Sequence, residues 1–175
     1  MKTFFVFTGP ESSGKTSLSS QLAEELGLSW VPEYARSYLD GKTLRYTLQD
    51  LDTIAENQLK MEQDAGGQYI ICDTDLLTLY IWKREVFKED DPALLEHLRK
   101  HNRHYLLCKP NIPWVPDPLR ENPFDRERLF DIYVTAIEKS GIPFTVLDNL
   151  DYYNRYLQGW VYIDSILKCV GLPEK

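Results

Sequence analysis

Gly9, Gly14, Lys15 and Thr16 stand in the order G-x-x-x-x-G-K-[ST], within the segment GPESSGKT. That order suits phosphate chemistry. The glycines let the backbone curl until successive amides face phosphate oxygens, and a helix opening at Lys15 adds the positive end of its dipole. Lys15 brings a point charge to the β and γ phosphates, and the Thr16 hydroxyl is placed to coordinate Mg²⁺. A second metal anchor is needed, usually an acid at the end of a neighbouring strand. The segment YIICDTD supplies it in Asp73, which closes an apolar run. Asp75, two residues on, is either a helix cap or a further site acid.

The run WVPEYARSY places Glu33 and Arg36 where a strand gives way to a loop facing the phosphates. Glu33 there can accept a hydroxyl proton or hold ribose hydroxyls, and Arg36 can meet a phosphate; the plainer alternative is a surface pair at i,i+3 spacing. The stretch Lys109 to Phe124 is irregular and holds five prolines. Together with Arg120, Arg126 and Arg128 it has the composition of a lid, spanning about 109–126, that brings arginines to a transferring group and excludes water. Arg128 fits a solvated helix face better than the other two. Trp114 on the same stretch either stacks on a ring or pins the loop. His97 and His101 stand four apart on a helical segment, but with no accompanying HExxH they read as a solvated face. No N-K-x-D motif is present to read guanine, so ATP is the expected nucleotide.

The elements that must hold these residues alternate. Apolar runs predict strands at Thr3 to Thr8, Ser29 to Pro32, Gln68 to Cys72, His104 to Cys108 and Pro143 to Leu147. Helical periodicity falls between them, at Lys15 to Leu26, Leu48 to Asp64, Asp75 to Phe87, Pro92 to His101, Asp125 to Ser140 and Tyr152 to Val170. Such alternation predicts an α/β fold with a parallel sheet covered by helices on both faces, in one domain over 1–175.

Composition narrows the class. A net charge of −7 argues against a nucleic-acid surface, which would carry a basic stripe. No apolar run reaches the ~18 residues of a membrane helix, and the start lacks a signal peptide, so a cytoplasmic protein with no membrane partner is expected. Cys72, Cys108 and Cys169 lack metal spacing and read as reduced thiols.

In order and approximate spacing, FTGPESSGKT, PEYARSY, ICDTDLLT and PWVPDPLRENPFDR resemble the ribosylnicotinamide kinase domain of NadR-type proteins, from about Phe4 to Leu157. The resemblance implies a P-loop NTPase fold with five strands in the order 2-3-1-4-5. It also implies ATP- and Mg²⁺-dependent phosphorylation of the 5′-hydroxyl of nicotinamide riboside, giving nicotinamide mononucleotide. On that reading Gly9, Ser13, Gly14, Lys15, Thr16 and Ser17 bind nucleotide, and Thr16 and Asp73 hold the metal. Glu33, Tyr34, Arg36, Asp75, Trp114, Asp117 and Arg120 contact the substrate, while Lys15, Glu33, Asp73, Arg120 and Arg126 form the catalytic set. Pro118 stands where the family pattern has glycine, and the segment between Arg120 and Arg126 is shorter. An H-x-G-H signature is missing, so a kinase domain by itself is expected. A kinase for another nucleoside or nucleotide, or a non-catalytic ATP-binding regulator, would use the same loop, and the oligomeric state is left open.

Overall fold

The computed structural model describes residues 2–42, 46–117, 120 and 123–169. Pro118 and Val170 lie outside the described residues, as do Glu121 and Asn122 in the segment between Arg120 and Arg126.

Five strands, β1 (Thr3–Thr8), β2 (Ser29–Val31), β3 (Tyr69–Asp73), β4 (Asn102–Cys108) and β5 (Phe144–Leu147), form one parallel sheet in the order β2-β3-β1-β4-β5. Side chains alternate across its two faces, which explains why the strands read as continuous apolar runs. Phe4, Val6, Ile70, Cys72, Tyr105 and Leu107 face one layer of helices: α3 (Leu48–Asp64), α4 (Leu76–Trp82), α5 (Pro92–Arg99) and α6 (Arg126–Ser140). Phe5, Phe7, Ile71, Leu106 and Cys108 face the other, made by α1 (Lys15–Leu26) and α7 (Tyr152–Cys169).

Local chemistry fixes the helix limits. The α3 helix starts at a capping box in which Thr47 and Asp50 satisfy each other's backbone amides, and α1 stops where Gly27 adopts a left-handed conformation. Two features depart from the predicted elements. A short helix, α2 (Tyr34–Leu39), follows β2 directly. The predicted helix from Asp75 to Phe87 is α4 followed by a π-helical turn over Lys83–Phe87.

The strand order positions the chemistry. Because β1 and β3 are neighbours with Phe7 opposite Asp73, the acid that ends β3 lies beside the loop that follows β1. In open parallel sheets the crevice beyond the carboxyl ends of the strands is where ligands bind.

Candidate active site

The loop between β1 and α1 is held by its own carbonyls. Lys15 Nζ donates to the carbonyls of Gly9 (2.9 Å) and Pro10 (2.8 Å), and the buried Ser13 hydroxyl also donates to Pro10 (2.7 Å). The Ser12 carbonyl accepts from Arg126 (3.1 Å), and the Ser13 carbonyl accepts from Arg155 (3.1 Å). With every described peptide trans, the N–H groups of Glu11, Ser13 and Gly14 point opposite to the engaged carbonyls of Pro10, Ser12 and Ser13, while Pro10 has none to offer. Gly9 is required twice over. Its φ is +131°, and a Cβ there would sit 2.6 Å from the Cys108 carbonyl oxygen.

Asp73 lies beside this loop, almost wholly buried, and accepts a hydrogen bond from the Thr16 hydroxyl. Burial raises its pKa against the pull of Thr16, Lys15 and Arg36. Its Oδ1 is buried with no hydrogen-bond partner, an orphaned hard oxygen next to a hydroxyl. Among the described residues no group of three or more His, Cys, Asp or Glu could hold a metal ion. The pair Thr16 and Asp73 nevertheless fits Mg²⁺, which takes one or two protein oxygens and completes its shell with phosphates and water.

Glu33 is the N-cap of α2. The buried Gln58 of α3 braces it from both sides, accepting from the Tyr34 amide (2.9 Å) and donating to the Pro32 carbonyl (3.5 Å). Burial raises the Glu33 pKa, Asp73 raises it further, and Lys15 and Arg36 oppose both.

A cleft of about 410 Å³ runs from the phosphate loop, Gly9 to Ser17, past Glu33 and Arg36 to a mixed wall of Leu39, Ile81, Trp82 and Tyr133. Glu85, Arg120 and Arg128 border it. Arg36 reaches the proline-rich segment through Asp117 (2.9 Å), and that segment touches the loop where the Val115 amide donates to Ser12 Oγ (2.9 Å).

A family model described as an AAA domain matches residues 4–155. The chain belongs to that family. This AAA-domain chain is 29% identical to the trifunctional NAD biosynthesis/regulator protein NadR of Escherichia coli strain K12, over 90% of its own length and 42% of the relative's. It therefore spans less than half of that protein. Among solved structures it is similar to a NadR protein in complex with NR, with a TM-score of 0.75 at 18% identity, covering 99% of this chain and 52% of that one. It is also similar to thymidylate kinase from Ehrlichia chaffeensis, with a TM-score of 0.62 at 16% identity, covering 95% of this chain and 100% of that one. The resemblance to NadR-type proteins and the strand order 2-3-1-4-5 are borne out.

In the AAA-domain chain, Gly9, Ser13, Gly14, Lys15, Thr16, Ser17, Glu33, Arg36 and Arg120 all line the cleft, with Asp73 behind Thr16. Five expected site residues are placed differently, among them Asp117, which is not part of the cleft wall and pairs with Arg36 (2.9 Å). Asp75, expected at the substrate, is wholly buried: it caps α4 through the Leu77 amide (2.9 Å), accepts from Tyr105 (2.9 Å) and pairs with Arg103 (3.0 Å). Tyr34 packs against the core beside Tyr38 and is not part of the cleft wall. Trp114 lies against the Arg126 guanidinium, 5.5 Å from its ring centre, and is not part of the cleft wall. Arg126, expected in the catalytic set, bonds the carbonyls of Ser12 and Ile112, while Arg128 is exposed, as expected of a solvated helix face, and also borders the cleft. Trp82, Tyr133 and Arg155 were not singled out from the sequence. Trp82 lies on the helix opened by the D-T-D segment, which was the available signal; for Arg155 the sequence holds none.

Proposed function

We propose that this chain is one kinase domain, with its lid at about 109–126, that transfers the γ-phosphoryl group of ATP to a nucleoside 5′-hydroxyl, and that nicotinamide riboside is the acceptor. The observation that carries this reading is the continuity of the cleft: phosphate loop at one end, an aromatic and aliphatic wall at the other, and Glu33 between them. The similar proteins, one of NAD biosynthesis, one in complex with NR and a thymidylate kinase, support the same class.

The loop amides and Lys15 bind the triphosphate, and Thr16 and Asp73 hold Mg²⁺. Bound there, Mg²⁺ supplies charge neutralisation for the phosphate oxygens. Glu33 orients the acceptor hydroxyl and takes its proton, a role suited to a carboxylate whose pKa is raised toward the working pH. Ile81 and Trp82 take the face of the base, where the aromatic face of Trp82 suits a cationic ring. Arg120 meets the transferring group as the lid closes, which also sheds water from the cleft, while Arg128 is held by Glu85 and Asp125 (2.6 Å each).

The test is ADP release from ATP and Mg²⁺ across a panel of nucleosides. Nicotinamide riboside is expected to give a higher kcat/KM than adenosine, uridine or thymidine. A much higher value for one of those would keep the kinase and remove the acceptor assignment, and no stimulation by any nucleoside would favour a non-catalytic regulator.

A further inference from the structure

Arg155, in the first turn of α7, is a buried cation that the proposed chemistry does not use. Its guanidinium is a hub for four oxygens from three segments. It donates to the carbonyl of Ser13 in the phosphate loop (3.1 Å), to the carbonyl of Lys109 at the exit of β4 (3.0 Å), to the side chain of Asn111 at the foot of the lid, and to the carbonyl of Asn149 between β5 and α7 (2.8 Å). Three of these are peptide oxygens and the fourth is an amide, so the charge is surrounded by neutral acceptors. Burying a guanidinium among neutral groups costs stability, and an apolar side chain would fill the same volume at less cost. Desolvation accordingly lowers the Arg155 pKa.

What the fold gains lies across the peptide bond. In a planar trans peptide the C=O and the following N–H point in opposite directions. Arg155 holds the Ser13 carbonyl on the buried side, so the Gly14 N–H must point away from it, toward the cleft that Ser13 and Gly14 line. A cation on the carbonyl also polarises that peptide and makes its N–H a stronger donor. Gly14, with φ of +87°, has a backbone that would otherwise be loosely determined.

We infer that Arg155 is a positioning residue for phosphoryl transfer: it aims and strengthens the Gly14 amide toward the triphosphate and ties the phosphate loop to the foot of the lid through Asn111. The inference rests on the reading of that loop as a triphosphate site.

Calorimetric titration of wild type and of Arg155→Gln with ATP·Mg²⁺ and with inorganic tripolyphosphate tests it, alongside thermal unfolding without ligand and the acceptor KM. The Gln variant is expected to weaken both phosphate ligands by about tenfold or more, as for loss of a charge-assisted bond, while the acceptor KM stays within about twofold. Arg155→Lys keeps a charge that can reach a single carbonyl, and it should fall between the two; it is also the variant to read if the Gln protein does not fold. Phosphate affinities within about twofold of wild type in a folded variant would overturn the inference, as would an acceptor KM that rises in step with the nucleotide KM. Failure of the wild type itself to bind tripolyphosphate would instead overturn the loop reading on which the inference stands.

Discussion

Glu33 and Asp73 are two acids with different neighbours, and the difference assigns their roles. Asp73 is bonded to Thr16 and buried beside the phosphate loop, whereas Glu33 borders the open cleft. Phosphoryl transfer is mostly positioning and charge stabilisation, and a general base contributes about 10²–10⁴ in rate. Glu33→Gln is therefore expected to lower kcat by about that range with ATP·Mg²⁺ affinity retained. Asp73→Asn is expected to raise the Mg²⁺ concentration needed for half-maximal activity. Rate measurements over a magnesium series separate the two, and a Glu33 variant with altered magnesium dependence beside a normal Asp73 variant would reverse the assignment. At Gly9, a methyl group would meet the Cys108 carbonyl in a backbone conformation that L-residues seldom adopt. Gly9→Ala should lower stability by roughly 2 kcal/mol or more, read by chemical denaturation. Gly9, Gly14, Lys15 and Thr16 were legible in the sequence because the loop's chemistry is local, with residue types and spacing carrying the geometry.

The turn from β3 to α4 shows what a local reading misses. Thr74 sits at φ of +68°, unusual for a β-branched residue, between an acid at the site and an acid in the core. The cap made by Asp75 was legible, since Asp favours that position. Its pairing with Arg103 was not, because the partner comes from a strand 28 residues on. Arg103 also pairs with Glu62 at 2.5 Å, so one buried cation serves two carboxylates. That trio cannot be neutral with both acids ionised: burial raises the pKa of both acids against the pull of Arg103, and burial first, with Asp75 as well, pushes that of Glu62 up to about 7. The ordinary value for Glu62 is 4.5, so the stabilisation from its raised pKa is complete below pH 4.5 and is lost as the pH rises through about 7. Wild type should lose stability over that window by at most roughly 1.4 kcal/mol per pH unit relative to Glu62→Gln, which keeps an acceptor for Arg103. Arg103→Met, which strands two buried acids, should cost about 3–5 kcal/mol near neutral pH. Urea unfolding at several pH values checks both, and parallel pH profiles for wild type and Glu62→Gln would refute the raised pKa of Glu62.

At the scale of the molecule, the strand order brings together residues that no window of sequence could. Strand β1 sits at the centre of the sheet, and its loop meets Asp73 from β3 on one side and Arg155, beyond β5, on the other. Alternating apolar and helical segments were enough to read the sheet and most of its helices, because a buried parallel sheet writes its burial directly into the sequence. The lid's arginines were legible as a group and not individually. Whether Arg126 or Arg128 faces the cleft depends on how the first turn of α6 meets the phosphate loop, a tertiary contact that periodicity does not carry. Ligand binding should stabilise the whole chain by mass action, by about 2.7 kcal/mol when ATP·Mg²⁺ is at 100 times its Kd. Lys15→Ala should keep the unliganded melting temperature and lose most of that shift, since Lys15 bonds only loop carbonyls and supports no core contact. The central claim, phosphoryl transfer from ATP to a nucleoside by this loop, is tested most directly by incubating the protein with γ-labelled ATP, Mg²⁺ and nicotinamide riboside and following the label. Label appearing in nicotinamide mononucleotide with wild type and not with Lys15→Ala is the predicted result; label confined to ATP, or equal transfer by the two proteins, would contradict it.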